Sequence, residues 1–179
     1  MIDESVLIQR AQLGEAEAFG ALVSRYQATV FNVCLRLLGD RGEAEDATQE
    51  AFVRAYQRLA TFDRQRAFAP WMRTVAANHC YNKLESRCPC TVDYDQLAER
   101  TAPMQISPES QVLQEETSRQ VRQAMLALPH HFRLVIELRH FQELNYEEIA
   151  ATTGLSLSVV KTNLFRARKL LAEIITKTL

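Results

Sequence analysis

The sequence predicts an all-α protein of two small helical domains joined by a flexible acidic linker, and three observations predict it. Apolar side chains recur every three or four residues along most of the 179 residues, with no convincing period-two stretch. Glycine and proline are scarce, five of each, while 47% of residues are hydrophobic, a globular composition that leans helical. The periodicity stops once, from about residue 88 to 107, where prolines gather (Pro89, Pro103, and Pro108 just beyond) and acids outnumber bases. At roughly 100–200 residues per domain the length allows one medium domain or two small ones. The break sets the boundaries: a domain over 1–87, a linker over 88–107 and a domain over 108–179.

The elements follow in order. A short helix spans about Ser5–Leu13. Phe19, Leu22, Val23, Tyr26, Val30, Val33, Cys34 and Leu37 then mark one face of a long helix that Gly39 closes. A third helix starts near Glu43, with Glu43, Glu45, Asp46 and Glu50 in its first turns, where the macrodipole favours acids. It puts Ala47, Ala51, Phe52, Ala55, Tyr56 and Leu59 on one side. After the loop Thr61–Arg66, Pro70 suits the first turn of a fourth helix running to about Ser86. Beyond the linker, Ser107 and Pro108 open a helix that Pro129 interrupts after Leu128, with His130-His131 as the turn that starts the next one. That helix covers roughly Phe132–Phe141, and two more end the chain.

The formal net charge of -1 hides a segregation. Residues 1–90 carry 11 basic and 11 acidic groups, residues 91–118 carry 1 and 6, and residues 119–179 carry 9 and 5. The balance is therefore 0, then -5, then +4, an asymmetry that speaks to partners.

The +4 segment holds the clearest motif. Tyr146–Ser156 followed by Leu157–Leu171 reads as helix, short turn at Gly154, helix, the spacing of a helix-turn-helix. Ile149, Ala150, Leu155, Val160 and Leu164 pack the pair, and Ser156 serves as N-cap. From Ser156 onward there are 5 bases against the single acid Glu173, the local field that a helix in the major groove needs. Lys161, Arg166 and Lys169 suit phosphates, while Ser158, Thr162 and Asn163 suit base edges. The bland alternative is a solvated basic face on an ordinary helical hairpin.

A second concentration lies between Arg54 and Arg73. Arg54, Arg58, Arg64, Arg66 and Arg73 face one acid, Asp63, and interleave with Tyr56, Phe62, Phe68 and Trp71. Aromatic faces stack unpaired bases while guanidinium groups follow phosphates, so this is a candidate single-strand surface. Taken singly, Tyr56 and Trp71 read as core residues at helical spacing, and the loop residues Phe62, Arg64 and Arg66 as the contacts. Just upstream, Asp46, Gln49, Glu50, Val53 and Arg54 share one mixed helix face, either solvated or suited to another protein.

Together these segments resemble the extracytoplasmic-function (group four) sigma factors of bacterial RNA polymerase. The resemblance rests on Ala44-Glu45-Asp46-Ala47-Thr48-Gln49-Glu50-Ala51-Phe52-Val53-Arg54-Ala55-Tyr56 and on Phe68-Ala69-Pro70-Trp71-Met72-Arg73 through Asn78. It continues in Leu128-Pro129 through Arg139, Tyr146–Ala150 and Val160–Arg168, so it covers nearly the whole chain. It implies a second sigma domain at the N-terminal side, a fourth at the C-terminal side and no third between them. Asp46, Gln49, Glu50, Val53 and Arg54 would dock on the clamp helices of the polymerase largest subunit, and the flap is a further polymerase contact. Phe62, Arg64, Arg66, Trp71, Arg73 and Asn78 would hold the opened minus-ten element, where flipping a base costs a few kcal/mol of stacking. Ser158, Lys161, Thr162, Asn163, Arg166 and Lys169 would read the minus-thirty-five duplex. Ser158 and Asn163 depart from the Gly and Arg frequent in the family at these positions. The acidic linker, with Asp93, Asp95 and Glu99, would thread the polymerase cleft and mimic RNA charge. An anti-sigma protein is a further partner that the family makes possible.

Other classes fit less well. A stand-alone helix-turn-helix repressor or activator shares only the second motif. An enzyme lacks any P-loop, G-x-S-x-G, H-E-x-x-H or dinucleotide fingerprint. No cofactor or metal is expected, because His79-Cys80 with Cys88-Pro89-Cys90 lacks knuckle spacing. Cys34 and Cys80 read as half-buried thiols, and Cys88 and Cys90 as loop thiols open to oxidation. With no apolar run near the ~20 residues of a membrane helix and no basic region at Met1-Ile2-Asp3-Glu4, no membrane insertion and a cytoplasmic location are expected.

Overall fold

The computed structural model of the chain describes residues 3–87 and 114–178, side chains excepted at 114–119, 177 and 178. The predicted linker, the helix start at Ser107-Pro108, Cys88 and Cys90 lie outside the described residues. Among the described residues every regular element is helical, and the chain forms two compact units, Met1–Cys80 and Tyr81–Leu179, the division falling inside the fourth helix.

In the first unit α1 (Glu4–Gln12) opens on Asp3, whose carboxylate accepts from the Ser5 N–H at 3.4 Å. α2 (Ala16–Leu38) ends as predicted on Gly39, whose φ of 83° lets the chain turn without a Cβ clash. α3 (Arg41–Arg58) begins two residues before Glu43, because Asp40 caps it by accepting from the Glu43 N–H at 2.8 Å. A 3₁₀ turn over Leu59–Thr61 ends that helix. α4 (Phe68–Arg87) likewise starts two residues before Pro70, which still sits in the first turn, where no N–H is needed. The four alanines Ala44, Ala47, Ala51 and Ala55 are all fully buried on α3, so its backbone can come close to α2, the helix it packs against. Leu22, Val30, Val33 and Leu37 of α2 complete that layer. Cys34 and Cys80, expected half-buried, are both fully buried in this core.

In the second unit α5 (Gln114–Ala127) and α6 (His130–Ile136) flank Pro129, and α6 starts on the His130-His131 pair as predicted. The single helix expected over Phe132–Phe141 divides, because Glu137–Phe141 widens into a π turn. Arg133 is buried and donates to the carbonyls of Leu126 (2.7 Å) and Leu128 (3.0 Å), occupying acceptors at the end of α5 that the helix leaves open. Burial pushes its guanidinium down to about 10. α7 (Tyr146–Thr153) opens on a reciprocal capping box between Asn145 and Glu148 and closes on Gly154 at φ 74°. α8 (Leu157–Thr178) packs Val160, Leu164 and Ala167 inward against α5, α6 and α7. No helix among the described residues is long and apolar enough to cross a membrane.

Candidate protein and nucleic-acid interfaces

Because α3 buries Ala44, Ala47, Thr48, Ala51, Phe52 and Ala55, the opposite face is left bare. Asp46, Gln49, Glu50 and Val53 lie along it at steps of three and four, with Arg54 at its flank, and all five are exposed. Val53 is 57% exposed, an apolar side chain ringed by polar ones. Glu50 has a partner that the sequence pattern did not reveal: its Oε2 lies 3.2 Å from Nε2 of the buried His79 on α4. The bare face is therefore tied to the helix that carries Trp71, Arg73 and Asn78.

The aromatic residues of the first unit behave differently from expectation. Phe68 is fully buried and Phe62 is 6% exposed. Their rings meet edge to face at 5.6 Å, Trp71 lies 4.8 Å from Phe62 and 5.4 Å from Phe68, and Tyr26 closes the group 5.4 Å from Phe68. Phe62, expected to reach out from the loop, is thus a core ring beneath Trp71. Conversely Tyr56, expected in the core, is 42% exposed, its ring 4.9 Å from Phe19. A loop residue with a large apolar ring gains more from burial among rings than from water, and no helical period exists there to indicate it.

The loop that follows Phe62 has its own frame. Asp63 accepts from the Gln65 N–H on its side chain (2.9 Å) and from the Arg66 N–H on its carbonyl (3.0 Å), a tight Asx turn that presents Arg64 and Arg66 to solvent. Read from sequence as an isolated acid, Asp63 is the residue that shapes the loop. Trp71 and Asn78, seven residues apart, share one side of α4, whereas Arg73 falls on another flank. Trp71 and Asn78 are half-buried on that side, Arg64 and Arg66 are exposed on the loop that precedes the helix, and Arg73 turns away from both Trp71 and Asn78.

Upstream, α1 is fastened to α2: the Tyr26 hydroxyl donates to Glu4, and Arg25 lies 3.7 Å from the same carboxylate. Burial first, and the bond to Glu4 second, push the Tyr26 phenol up to about 12.

In the second unit Ser156 caps α8 as predicted, accepting from the Val159 N–H at 3.4 Å. Ser158, Lys161, Thr162, Arg166 and Lys169 are exposed. The Ser158 and Ser156 hydroxyls lie 3.1 Å apart, and Thr162 donates to the Ser158 carbonyl at 2.9 Å, which orients both side chains. Asn163 is the exception: it is 2% exposed, on the face packed inward, and cannot reach a base edge from there. A residue the sequence pattern passed over takes the outer position. Phe165, 69% exposed, falls between Lys161, Thr162 and Lys169 on the same stripe. Its separation of five from Val160 and two from Ala167, both buried, was the available signal.

The chain matches the family models "Sigma-70 region 2" over residues 22–87 and "Sigma-70, region 4" over residues 118–171. It is 34% identical to the RNA polymerase sigma-H factor of Pseudomonas aeruginosa over 171 residues, covering 91% of this chain and 89% of that protein. It is 35% identical to the ECF RNA polymerase sigma-E factor of Escherichia coli K12 over 176 residues, covering 94% and 92%. Among solved structures it is similar to CnrH in complex with the cytosolic domain of CnrY, at 25% identity and a TM-score of 0.64, covering 98% of this chain and 99% of that one.

Proposed function

This chain belongs to the extracytoplasmic-function sigma factors, and from that premise we propose how its surfaces divide the work of starting transcription. The protein is a promoter-recognising initiation factor with no chemistry of its own. The first unit binds core RNA polymerase through Asp46, Gln49, Glu50, Val53 and Arg54, on the clamp helices of the largest subunit. The same unit holds the opened minus-ten strand on Trp71, with Arg64, Arg66 and Asn78 as further contacts, Phe62 supporting the Trp71 ring and Arg73 following the strand from another flank of α4. The second unit reads the minus-thirty-five element as duplex through Ser158, Lys161, Thr162, Arg166 and Lys169, and its polymerase contact is the flap. An anti-sigma protein would compete for the bare α3 face.

The observation that carries this proposal is α8: a capped helix after a left-handed Gly turn, with hydroxyls and bases exposed on one side and Val160, Leu164 and Ala167 buried on the other. Side chains at the front of such a helix reach base edges, and the flanking cations follow phosphates. The test is assembly with purified core polymerase. The wild-type chain is expected to co-purify with core and support promoter-dependent transcripts from a random promoter library. Asp46→Arg is expected to abolish both while leaving the fold intact. A chain that binds duplex promoters tightly without polymerase would contradict the proposal.

A further inference from the structure

Gln12, the last residue of α1, does something its neighbours on that helix do not. Its carboxamide nitrogen donates to two main-chain carbonyls far along the chain, Leu59 O and Phe62 O, each at 2.9 Å. Those carbonyls bracket the 3₁₀ turn that ends α3, and the Leu59 carbonyl also accepts from the Phe62 N–H at 3.0 Å. Phe62 then leaves in an extended conformation (φ -70°, ψ 125°) and the Asp63 turn begins. Both N–H donors of one half-buried amide are thus spent on the two ends of the segment that sets where the loop departs and where the Phe62 ring lies. Trp71 rests on that ring. The helix that carries Gln12 is itself anchored at its other end by the Glu4–Tyr26 bond.

We infer that Gln12 is a positioning residue for the single-strand surface: through the Leu59 and Phe62 carbonyls it fixes the platform of Phe62 and Trp71 and the departure of the Arg64–Arg66 loop. The inference rests on the proposal that this surface holds the opened minus-ten strand. It touches no base itself. Its leverage comes from geometry, because a pocket for an unstacked base tolerates little displacement of the ring that forms its floor.

Trp71 is the only tryptophan of the chain, so its emission reports the platform directly. Gln12→Glu keeps the shape and puts a carboxylate oxygen against two carbonyl oxygens, and Gln12→Ala removes the donor. Gln12→Lys offers an ammonium that can donate to the same pair. Three measurements use the full chain: Trp71 emission without DNA, affinity for core polymerase, and binding of the holoenzyme to library-selected promoter DNA, either as a fork junction with a single-stranded minus-ten element or fully duplex. Gln12→Glu and Gln12→Ala are expected to shift Trp71 emission and to weaken fork-junction binding about tenfold or more, with core affinity close to wild type and a lowered thermal midpoint that Gln12→Lys restores. Gln12→Lys is expected to restore the emission. Wild-type emission and fork-junction binding in Gln12→Glu would overturn the inference. So would a parallel fall of core affinity and thermal midpoint that Lys does not rescue, since that is the mark of a merely structural contact. If the wild-type holoenzyme shows no preference for the single-stranded element, the functional proposal fails, and the emission series still decides whether Gln12 sets the platform.

Discussion

The platform of α4 and the outer face of α8 are both assigned to DNA, yet they are built on opposite principles. On α8 the residues proposed to meet DNA are exposed, mostly polar and spaced by the helix itself, with a separate apolar face underneath. On the platform Phe62 and Phe68 are buried among the rings, Trp71 is half-buried, and the arginines of the adjoining loop are exposed. Reading a duplex requires hydrogen-bonding groups at a fixed distance from a groove, which a straight helix supplies. Holding an unstacked base requires an aromatic floor, and a floor must be rigid before it can bind. Stability and recognition are therefore separable on α8 and entangled on the platform.

The largest effects should appear where they are entangled. Phe68→Ala and Phe62→Ala each remove a buried ring and are expected to destabilise the first unit by about 3–5 kcal/mol, measured by chemical denaturation. Arg64→Ala or Arg66→Ala, on the exposed loop, should leave stability unchanged and weaken only single-strand binding. A Phe62→Ala variant of wild-type stability would break the distinction.

On α8 the expected changes are smaller and confined to recognition. Ser158→Ala or Phe165→Ala should each alter preference at one upstream base pair by about 1–3 kcal/mol, by hydrogen bond or by contact with a thymine methyl. Lys161→Ala should weaken all sequences alike and lower the salt slope of holoenzyme binding by about 1. Neither class should move the thermal midpoint.

The second unit has a dependence on pH of its own. Burial, with the neighbouring His130 5.8 Å away adding to it and Glu85 opposing it, pushes His131 down to about 4. The unfolded chain takes up this proton near 6.5 and the folded unit resists it, so stability is full above about pH 6.5 and falls as the pH drops toward 4. Solvent screening of a partly buried ring keeps the loss to about 1–2 kcal/mol, and His131→Phe should make the thermal midpoint less dependent on pH across that window, the remaining slope coming from His130 and His140, which burial also pushes down.

The smallest effect separates the two principles most finely. The buried Oδ1 of Asn163 has no hydrogen-bond partner among the described residues, so Asn163→Leu is expected to be neutral or stabilising by up to about 1 kcal/mol, with upstream base preference unchanged. A change of preference would return Asn163 to the DNA face.

Where a regular period exists, the sequence was legible. The apolar faces of α2, α3 and α8, the Gly39 and Gly154 stops, and the bare row Asp46-Gln49-Glu50-Val53 all follow from steps of three and four. Phe62 and Asn163 were misplaced for related reasons. One lies where no period operates, and the other is a polar residue on the buried side of a helix, where composition and position disagree. The Gln12 and Asp63 hydrogen bonds were illegible because main-chain acceptors and turn geometry leave no trace in the order of side chains.

On this proposal one chain reads two states of one promoter with two separate surfaces. The most direct measurement is selection from a random promoter library by core polymerase with the wild-type chain, repeated with Ser158→Ala and with Arg64→Ala plus Arg66→Ala. Two blocks of preferred bases at fixed spacing are expected, the α8 variant changing preference in the upstream block alone and the loop variant weakening the downstream block alone. A single block, governed by α8 and indifferent to the loop, would contradict the account.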